Sequence, residues 1–111
     1  ANEVNVRELR RVSRSGAVTD RYSAAVTSAV LGKYATLGRI FADATGKNDN
    51  YYIDFFTDCL NALSYRLRMP KLSRYGLVHD DLAAICSLSD VKNNPVCLSE
   101  EQMLEILMSR I

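Results

Sequence analysis

The chain contains no tryptophan, two prolines, five glycines and one histidine among its 111 residues. A single imidazole cannot build a metal site from histidines, and the cysteines lack the two-residue spacing of structural zinc sites. The three cysteines are Cys59, Cys86 and Cys97, an odd number that excludes a closed disulfide framework. Because they lie among apolar residues, we expect free, buried thiols in a reducing, cytoplasmic setting.

Neither sign of charge predominates, since 14 Lys and Arg residues balance 13 Asp and Glu residues and leave a net charge of +1. This balance argues against nucleic acid as a partner. The one basic cluster is Arg7, Arg10, Arg11 and Arg14, a pattern typical of a solvated helix end. No apolar run approaches the roughly 20 residues of a membrane span, so no membrane is expected either.

Motifs that carry chemistry are missing as well. The glycines are scattered singly, so there is no phosphate-binding loop, dinucleotide fingerprint or nucleophile elbow. Neighbouring carboxylates such as Asp80 and Asp81 point in different directions on a helix and do not form an acid/base pair. His79 with these two aspartates could contribute metal ligands, although a helix start is the commoner meaning of such a cluster. We therefore assign no catalytic, cofactor-binding or metal-binding residue to this chain.

Apolar residues recur every three or four positions, and no segment alternates as a strand does, which predicts an all-α domain spanning residues 1–111. We expect a bundle of about four to five helices. Residues 11–27 look like a loop, and glycines inside a helix at positions 32 and 38 suggest close helix approach. The predicted helices are a helix tail from Asn2 to about Leu9, a Ser28-capped helix to about Asp43 followed by Gly46, a helix capped by Asp49 or Asn50 and ended by Met69-Pro70, a helix opened by His79, Asp80 and Asp81, and a final helix from Glu100 to about Arg110.

Three of these helices should bury an apolar face. The listed positions share one side of each helix at the three-and-four spacing, which is typical of core packing. For the Ser28 helix they are Leu31, Tyr34, Leu37, Ile40 and Phe41; for the next helix they are Ile53, Phe56, Cys59, Leu60, Leu63 and Leu67; and for the helix at His79 they are Leu82, Ile85, Cys86 and Leu88.

The end of the chain gives the sharpest local prediction. Asn94-Pro95 stops any incoming helix, because proline lacks an amide donor and restricts the residue before it. Ser99 then restarts one as N-cap, with Gln102 placed to return the hydrogen bond in a capping box. Leu98 and Met103 occupy the positions of a hydrophobic staple.

Four segments together resemble the iron-containing alcohol dehydrogenases. Residues 67–77 with Asp81 are similar to the family passage L-x-x-P-x-L-x-x-x-G-[ILV]-x-x-x-D, and residues 92–102 are similar to its closing motif K-x-N-P-x-x-[LF]-[ST]-x-E. Residues 1–7 resemble the helix that follows the family's metal-binding His-Gly. The helix motif S-x-x-x-x-K-Y-A-x-[LI]-G-R-[IL] is matched by Ser28, Lys33, Tyr34, Ala35, Leu37, Gly38, Arg39 and Ile40. The stretch from Arg11 to Thr27 departs from the pattern by its length.

The resemblance implies the last part of an all-helical, metal-binding domain of the dehydroquinate synthase-like type. The parent would use Fe²⁺ or Zn²⁺ with NAD(P) to oxidise an alcohol or reduce an aldehyde. Its ligands, one aspartate and three histidines, and its nucleotide-binding domain would precede Ala1. Ser89 and Asp90 correspond to a loop near the substrate cleft and are the only candidates for pocket contact.

Two hypotheses of different class follow. In the first, the chain is an inactive C-terminal fragment that acts as scaffold and cleft wall, with the remainder of the parent enzyme as its partner. In the second, it is a free-standing helical module whose exposed apolar face docks a partner helix. In the first case we expect the chain to self-associate through apolar surface that the missing helices would cover.

Overall fold

In a computed structural model, residues 1–15 and 23–111 are described, and they contain helices but no strand. This result confirms the all-α prediction for that part of the chain. No helix within these residues combines the length and the apolar character that crossing a membrane requires. The five α-helices are α1 (Asn2–Ser15), α2 (Ala24–Phe41), α3 (Asp49–Arg66), α4 (His79–Leu88) and α5 (Glu100–Met108), with a 3-10 helix at Leu72–Tyr75 between α3 and α4.

Several predicted boundaries near the N-terminal half are wrong. α1 continues through Ser15, so the first part of the predicted loop is helical, while residues 16–22 of that loop lie outside the described residues. α2 is capped by Ser23, whose hydroxyl accepts a hydrogen bond from the Val26 amide at 3.2 Å, and not by Ser28. α3 is capped by Asn48 through its side-chain oxygen, one residue before the predicted Asp49. Serine, asparagine and aspartate can all cap the first amides of a helix. The sequence alone therefore does not decide between Ser23 and Ser28 for α2, or between Asn48 and Asp49 for α3.

α2 and α3 form a tightly packed antiparallel pair. Gly38 faces the backbone of Tyr52 so closely that a Cβ at position 38 would stand 1.9 Å from the Tyr52 carbonyl oxygen. This contact confirms the close approach expected at Gly38, whereas Gly32 has open space around its Cα. The Arg39 guanidinium lies over the Tyr52 ring, 4.7 Å from its centroid, and forms an ion pair with Asp49. Glycine at position 38 therefore sets the distance between the two helices.

α1 packs across this pair and supplies much of the core. Its buried residues are Val4, Asn5, Val6, Leu9 and Val12. The core also includes two residues of the segment that precedes α5, Val96 and Leu98. Residues far apart in sequence thus share one core, listed as Val4, Val6, Leu9, Tyr34, Ala35, Tyr52, Ile53, Phe56, Val96 and Leu98.

The second half of the chain follows its local signals. The Ser99 hydroxyl accepts from the Gln102 amide at 3.3 Å and the Gln102 side chain accepts from the Ser99 amide at 2.9 Å, which confirms the capping box. Gly76 ends the 3-10 helix with φ +87°, a conformation that favours glycine. Arg110 lies just beyond α5, where its guanidinium donates to the carbonyls of Met69 and Pro70 and not to its own helix.

The predicted apolar faces are only partly buried. In α2, Leu37, Ile40 and Phe41 are exposed. The same is true of Leu63 in α3, of Leu67 at the C-cap of α3 and of Leu88 in α4. Cys86 is buried as predicted, whereas Cys97 is exposed and Cys59 lies between these limits; none of the three forms a disulfide. The expectation of three buried thiols is therefore wrong for Cys97.

The molecule exposes more surface than its mass predicts. A compact monomer of 12.4 kDa exposes roughly 6,100 Å², whereas this chain exposes 7881 Å². Its radius of gyration is 15.7 Å, against about 13 Å for a compact domain of this length. The shortest extent is 20 Å, about two helix diameters. The helices thus form a flat slab with a surplus of about 1,700 Å² of surface.

Replacing Gly38 tests the spacing of α2 and α3. We expect Gly38→Ala to lower the free energy of unfolding by about 1–3 kcal/mol, because the new methyl group meets backbone that cannot move aside. The matched control Gly32→Ala should instead raise it by up to about 1 kcal/mol, since alanine is the better helix former. Urea unfolding followed by circular dichroism measures both, and equal effects of the two substitutions would contradict the packing described here.

Candidate functional site

Two asparagines form a reciprocal amide pair between the ends of the chain. The Asn5 Nδ2 donates to Asn94 Oδ1 at 2.8 Å, and the Asn94 Nδ2 donates to Asn5 Oδ1 at the same distance. Asn5 is 1% exposed on α1, and Asn94 lies in the loop before Val96. The Asn94 Nδ2 also donates to the Val96 carbonyl at 2.6 Å. The pair therefore joins the first helix to the segment that leads into the last one.

The Tyr34 hydroxyl extends this network to α2. It accepts from Asn5 Nδ2 at 3.3 Å and donates to Asn2 Oδ1 at 3.1 Å. Tyr34 is 6% exposed, so its hydroxyl needs such partners. We refer to Asn2, Asn5, Tyr34 and Asn94 as the amide network. Sequence reasoning assigned these residues no joint role, and the available signal was a polar Asn5 between the apolar Val4 and Val6.

A cavity of 320 Å³ opens beside the amide network. One part of its wall is apolar and the rest is formed by the network, with Lys33 as the only charged side chain among the residues that line it. Lys33 itself is exposed. The lining residues are Asn2, Asn5, Val30, Lys33, Tyr34, Leu37, Phe56, Asn94 and Pro95. A volume of this size lies at the lower end of the range of small-molecule sites.

The residues predicted to contact substrate lie outside this cavity. Ser89 is the C-cap of α4, and its hydroxyl donates to the Ile85 carbonyl at 2.6 Å. Asp90 follows it and is exposed. Contact of Ser89 and Asp90 with a substrate cleft stays a prediction.

The helix start at His79 is explained by local hydrogen bonding. Asp81 accepts a hydrogen bond from the Val78 amide at 2.9 Å, which satisfies one of the first amides of α4. Within residues 1–15 and 23–111, no three His, Cys, Asp or Glu side chains cluster as a metal site requires. His79, Asp80 and Asp81 thus have a local role at the start of α4.

The basic cluster on α1 lines a wide groove of 770 Å³, but most of its charge is paired. Arg7 forms two hydrogen bonds with the Glu105 carboxylate, and Arg10 lies 2.8 Å from Asp54. Arg11 binds Glu8 through two nitrogens, at 2.9 and 2.6 Å. The cluster thus ties α1 to α3 and α5, which favours a structural role over an anion site.

These arginines hold two carboxylates in the charged form. Hydrogen bonding from Arg11 lowers the pKa of Glu8 below its ordinary value of 4.5, and Gln102 adds a further hydrogen bond at 3.0 Å. Hydrogen bonding from Arg7 lowers the pKa of Glu105 in the same way. Because Arg7 and Glu105 are about half exposed, solvent screens their pair and its contribution to stability is small.

Comparison with known proteins adds no further guide: the chain matches no family model, no curated protein and no solved structure. Function must therefore be argued from the residues and their geometry.

A double-mutant cycle tests the amide pair. We expect Asn94→Ala to cost about 1–3 kcal/mol of unfolding free energy, because it removes the donor to the buried Asn5 Oδ1 and leaves Asn5 Nδ2 with Tyr34 alone. Asn5→Ala should cost a similar amount, and the double substitution should cost less than the sum by roughly 0.5–3 kcal/mol. The control Asn93→Ala changes an exposed neighbour and should stay within about 0.5 kcal/mol of the parent. Strict additivity in urea unfolding would contradict the pairing.

Proposed function

We propose that this chain is part of the C-terminal helical domain of an iron-dependent, NAD(P)-linked alcohol dehydrogenase, in which it acts as scaffold. The observation that carries the proposal is the amide network. It brings together residues 1–7, Tyr34 of the helix motif and Asn94 of the closing motif, which are three of the four segments of the resemblance. The matching residues are thus explained as a set of contacts between distant parts of the chain.

The fourth segment has a structural role of the same kind. The Leu72 amide donates to the Arg110 carbonyl at 2.7 Å, and the Lys71 ammonium donates to the Ile111 carbonyl at 2.9 Å. Residues 67–77 therefore receive the end of α5, while Gly76 turns the chain toward α4. Both family-like motifs of the second half serve to fix the last helix.

In such an enzyme a divalent metal would polarise the substrate oxygen while hydride passes to or from the nicotinamide. By the resemblance, the metal ligands and the nucleotide site of the enzyme would lie on other segments of the parent, and this chain would supply neither. Its contribution would be to support the helix that follows the metal-binding His-Gly, which resembles residues 1–7. The loop of Ser89 and Asp90 would form part of the cleft wall.

The nucleotide sequence that precedes the Ala1 codon tests this proposal most directly. We expect it to encode, in the same frame, a glycine-rich nucleotide-binding loop and an aspartate and three histidines on helices, ending in His-Gly. An in-frame stop codon shortly before Ala1 would contradict the proposal. At the protein level, calorimetric titration of the chain alone with Fe²⁺ or Zn²⁺ should give no tight binding, and tight binding would place ligands here against the proposal.

A second candidate, a helical interaction module, is favoured by the apolar face of α2. At 100° per residue around the helix axis, the exposed Leu37 and Phe41 lie on the same side of α2 as the buried Tyr34. Ile40 and Phe41 are 70% and 59% exposed, so this end of the helix remains uncovered. The apolar face of α2 is thus wider than the area that this chain covers.

We infer that a second copy of the chain would cover this face. The surplus of about 1,700 Å² exceeds the roughly 800 Å² that each partner contributes to an ordinary interface. A contact centred on Ile40, near the C-terminal end of α2, would place each Lys33 seven residues, about 10 Å along its own helix, from the centre of the interface.

Substitution of Ile40 tests the association. Sedimentation velocity over a range of concentrations should show a reversible dimer for the parent chain and a monomer for Ile40→Glu, because a carboxylate cannot be buried unpaired at the centre of an apolar contact. The control Leu88→Glu alters an equally apolar residue that is 89% exposed on α4, and this variant should still dimerise. A parent chain that stays monomeric at high concentration would contradict the candidate.

A further inference from the structure

The cavity beside the amide network has donors that remain available and acceptors that are already engaged. Asn5 and Asn94 use both amide groups on each other, on Tyr34 and on the Val96 carbonyl. The Tyr34 hydroxyl both accepts and donates, and Asn2 Oδ1 accepts from it. Within the described residues, neither Asn2 Nδ2 nor Lys33 Nζ has such a partner. The side-chain groups at the wall that lack a partner, Asn2 Nδ2 and Lys33 Nζ, are therefore both hydrogen-bond donors.

The charge of the cavity has the same sign as these donors. Among the described residues that line the cavity, Lys33 carries the only formal charge and none is a carboxylate. Asn2 is the first residue of α1, so the positive end of a helix of 14 residues lies at this wall. An occupant with a negative head group would be stabilised by each of these groups.

The other lining residues are apolar and favour a ligand with an apolar body. They are Val30, Leu37, Phe56 and Pro95, and Phe56 belongs to the hydrophobic core. A volume of 320 Å³ admits one ring or a short branched chain. We propose that this cavity binds a small monocarboxylate with an aromatic or aliphatic body, its carboxylate held by Lys33 and Asn2. The proposal does not depend on the enzyme or on the dimer described above.

Benzoate and benzamide form a suitable probe pair, because they share shape and differ in charge. Titration of the ¹⁵N-labelled chain with each, followed by amide chemical shifts, should place the benzoate shifts around Tyr34, Phe56 and Asn94. We expect benzamide to bind at least about tenfold more weakly, because its neutral amide cannot form an ion pair with the ammonium group. Equal binding of the two probes, no binding of benzoate, or shifts confined to another surface would overturn the proposal.

Substitution of Lys33 separates the head group from the body of the ligand. Lys33→Met keeps the apolar stem of the side chain and removes its charge, so benzoate binding should weaken roughly tenfold while benzamide binding stays unchanged. Lys92→Met removes an exposed ammonium outside the cavity and should leave both unchanged. Leu37→Phe, which fills the mouth of the cavity, should weaken both probes. Benzoate affinity that is the same in the parent and in Lys33→Met would overturn the proposal, as would equal losses in the two lysine variants.

Discussion

The reciprocal amide pair of Asn5 and Asn94 is the contact on which the arrangement of this chain depends. It joins residues 89 positions apart, and both amides are fully used. In a weakly polar setting the hydrogen bonds of such a pair are stronger than in water. Removing one partner is correspondingly costly in folding free energy, because the other amide then loses its hydrogen bonds. Because Asn94 also donates to the Val96 carbonyl, the pair fixes the loop that inserts Val96 and Leu98 into the core. The capped start of α5 at Ser99 follows directly, so the position of the last helix depends on a contact made by the first.

Sequence reasoning succeeded where the controlling interaction was local. The capping box of Ser99 and Gln102 involves residues three positions apart, and Gly76 needs only its own backbone angle. It was wrong where the decision was made by distant residues. Ser23 and Ser28 could each cap α2, and the packing of α2 against the other helices decides between them. The periodicity of Leu37 and Ile40 marks an apolar face but does not show whether another helix covers it. The amide network was missed for the same reason, since an asparagine inside an apolar helix face gives no sign of its partner. The loop of Ser89 and Asp90 could be named only from a resemblance.

The flatness of the molecule links the two functional proposals. A surplus of apolar and polar surface is expected whether the slab is one wall of a larger helical domain or one half of a dimer. The two proposals differ in what covers the apolar face of α2. In the first, helices of the same enzyme would cover its apolar end, and in the second a copy of α2 would do so. The packing inside the slab is the same in both cases. The contact of Gly38 with Tyr52 and the hydrogen bonds of the amide network form within this chain alone.

Lys33 limits which part of α2 a partner can cover. It lies on the same side of the helix as Leu37 and Phe41, and within the described residues it forms no ion pair that would offset the loss of water. Covering its ammonium without a counter-charge would cost several times what a neighbouring apolar contact contributes. A partner centred on Ile40 avoids this cost and leaves the cavity end of α2 open to solvent. A partner that extends to Val30 would instead have to bring a carboxylate to the position that we assign to a small acid. Lys33 thus limits a partner to the Ile40 end of α2, while Leu37 belongs both to the apolar face and to the wall of the cavity.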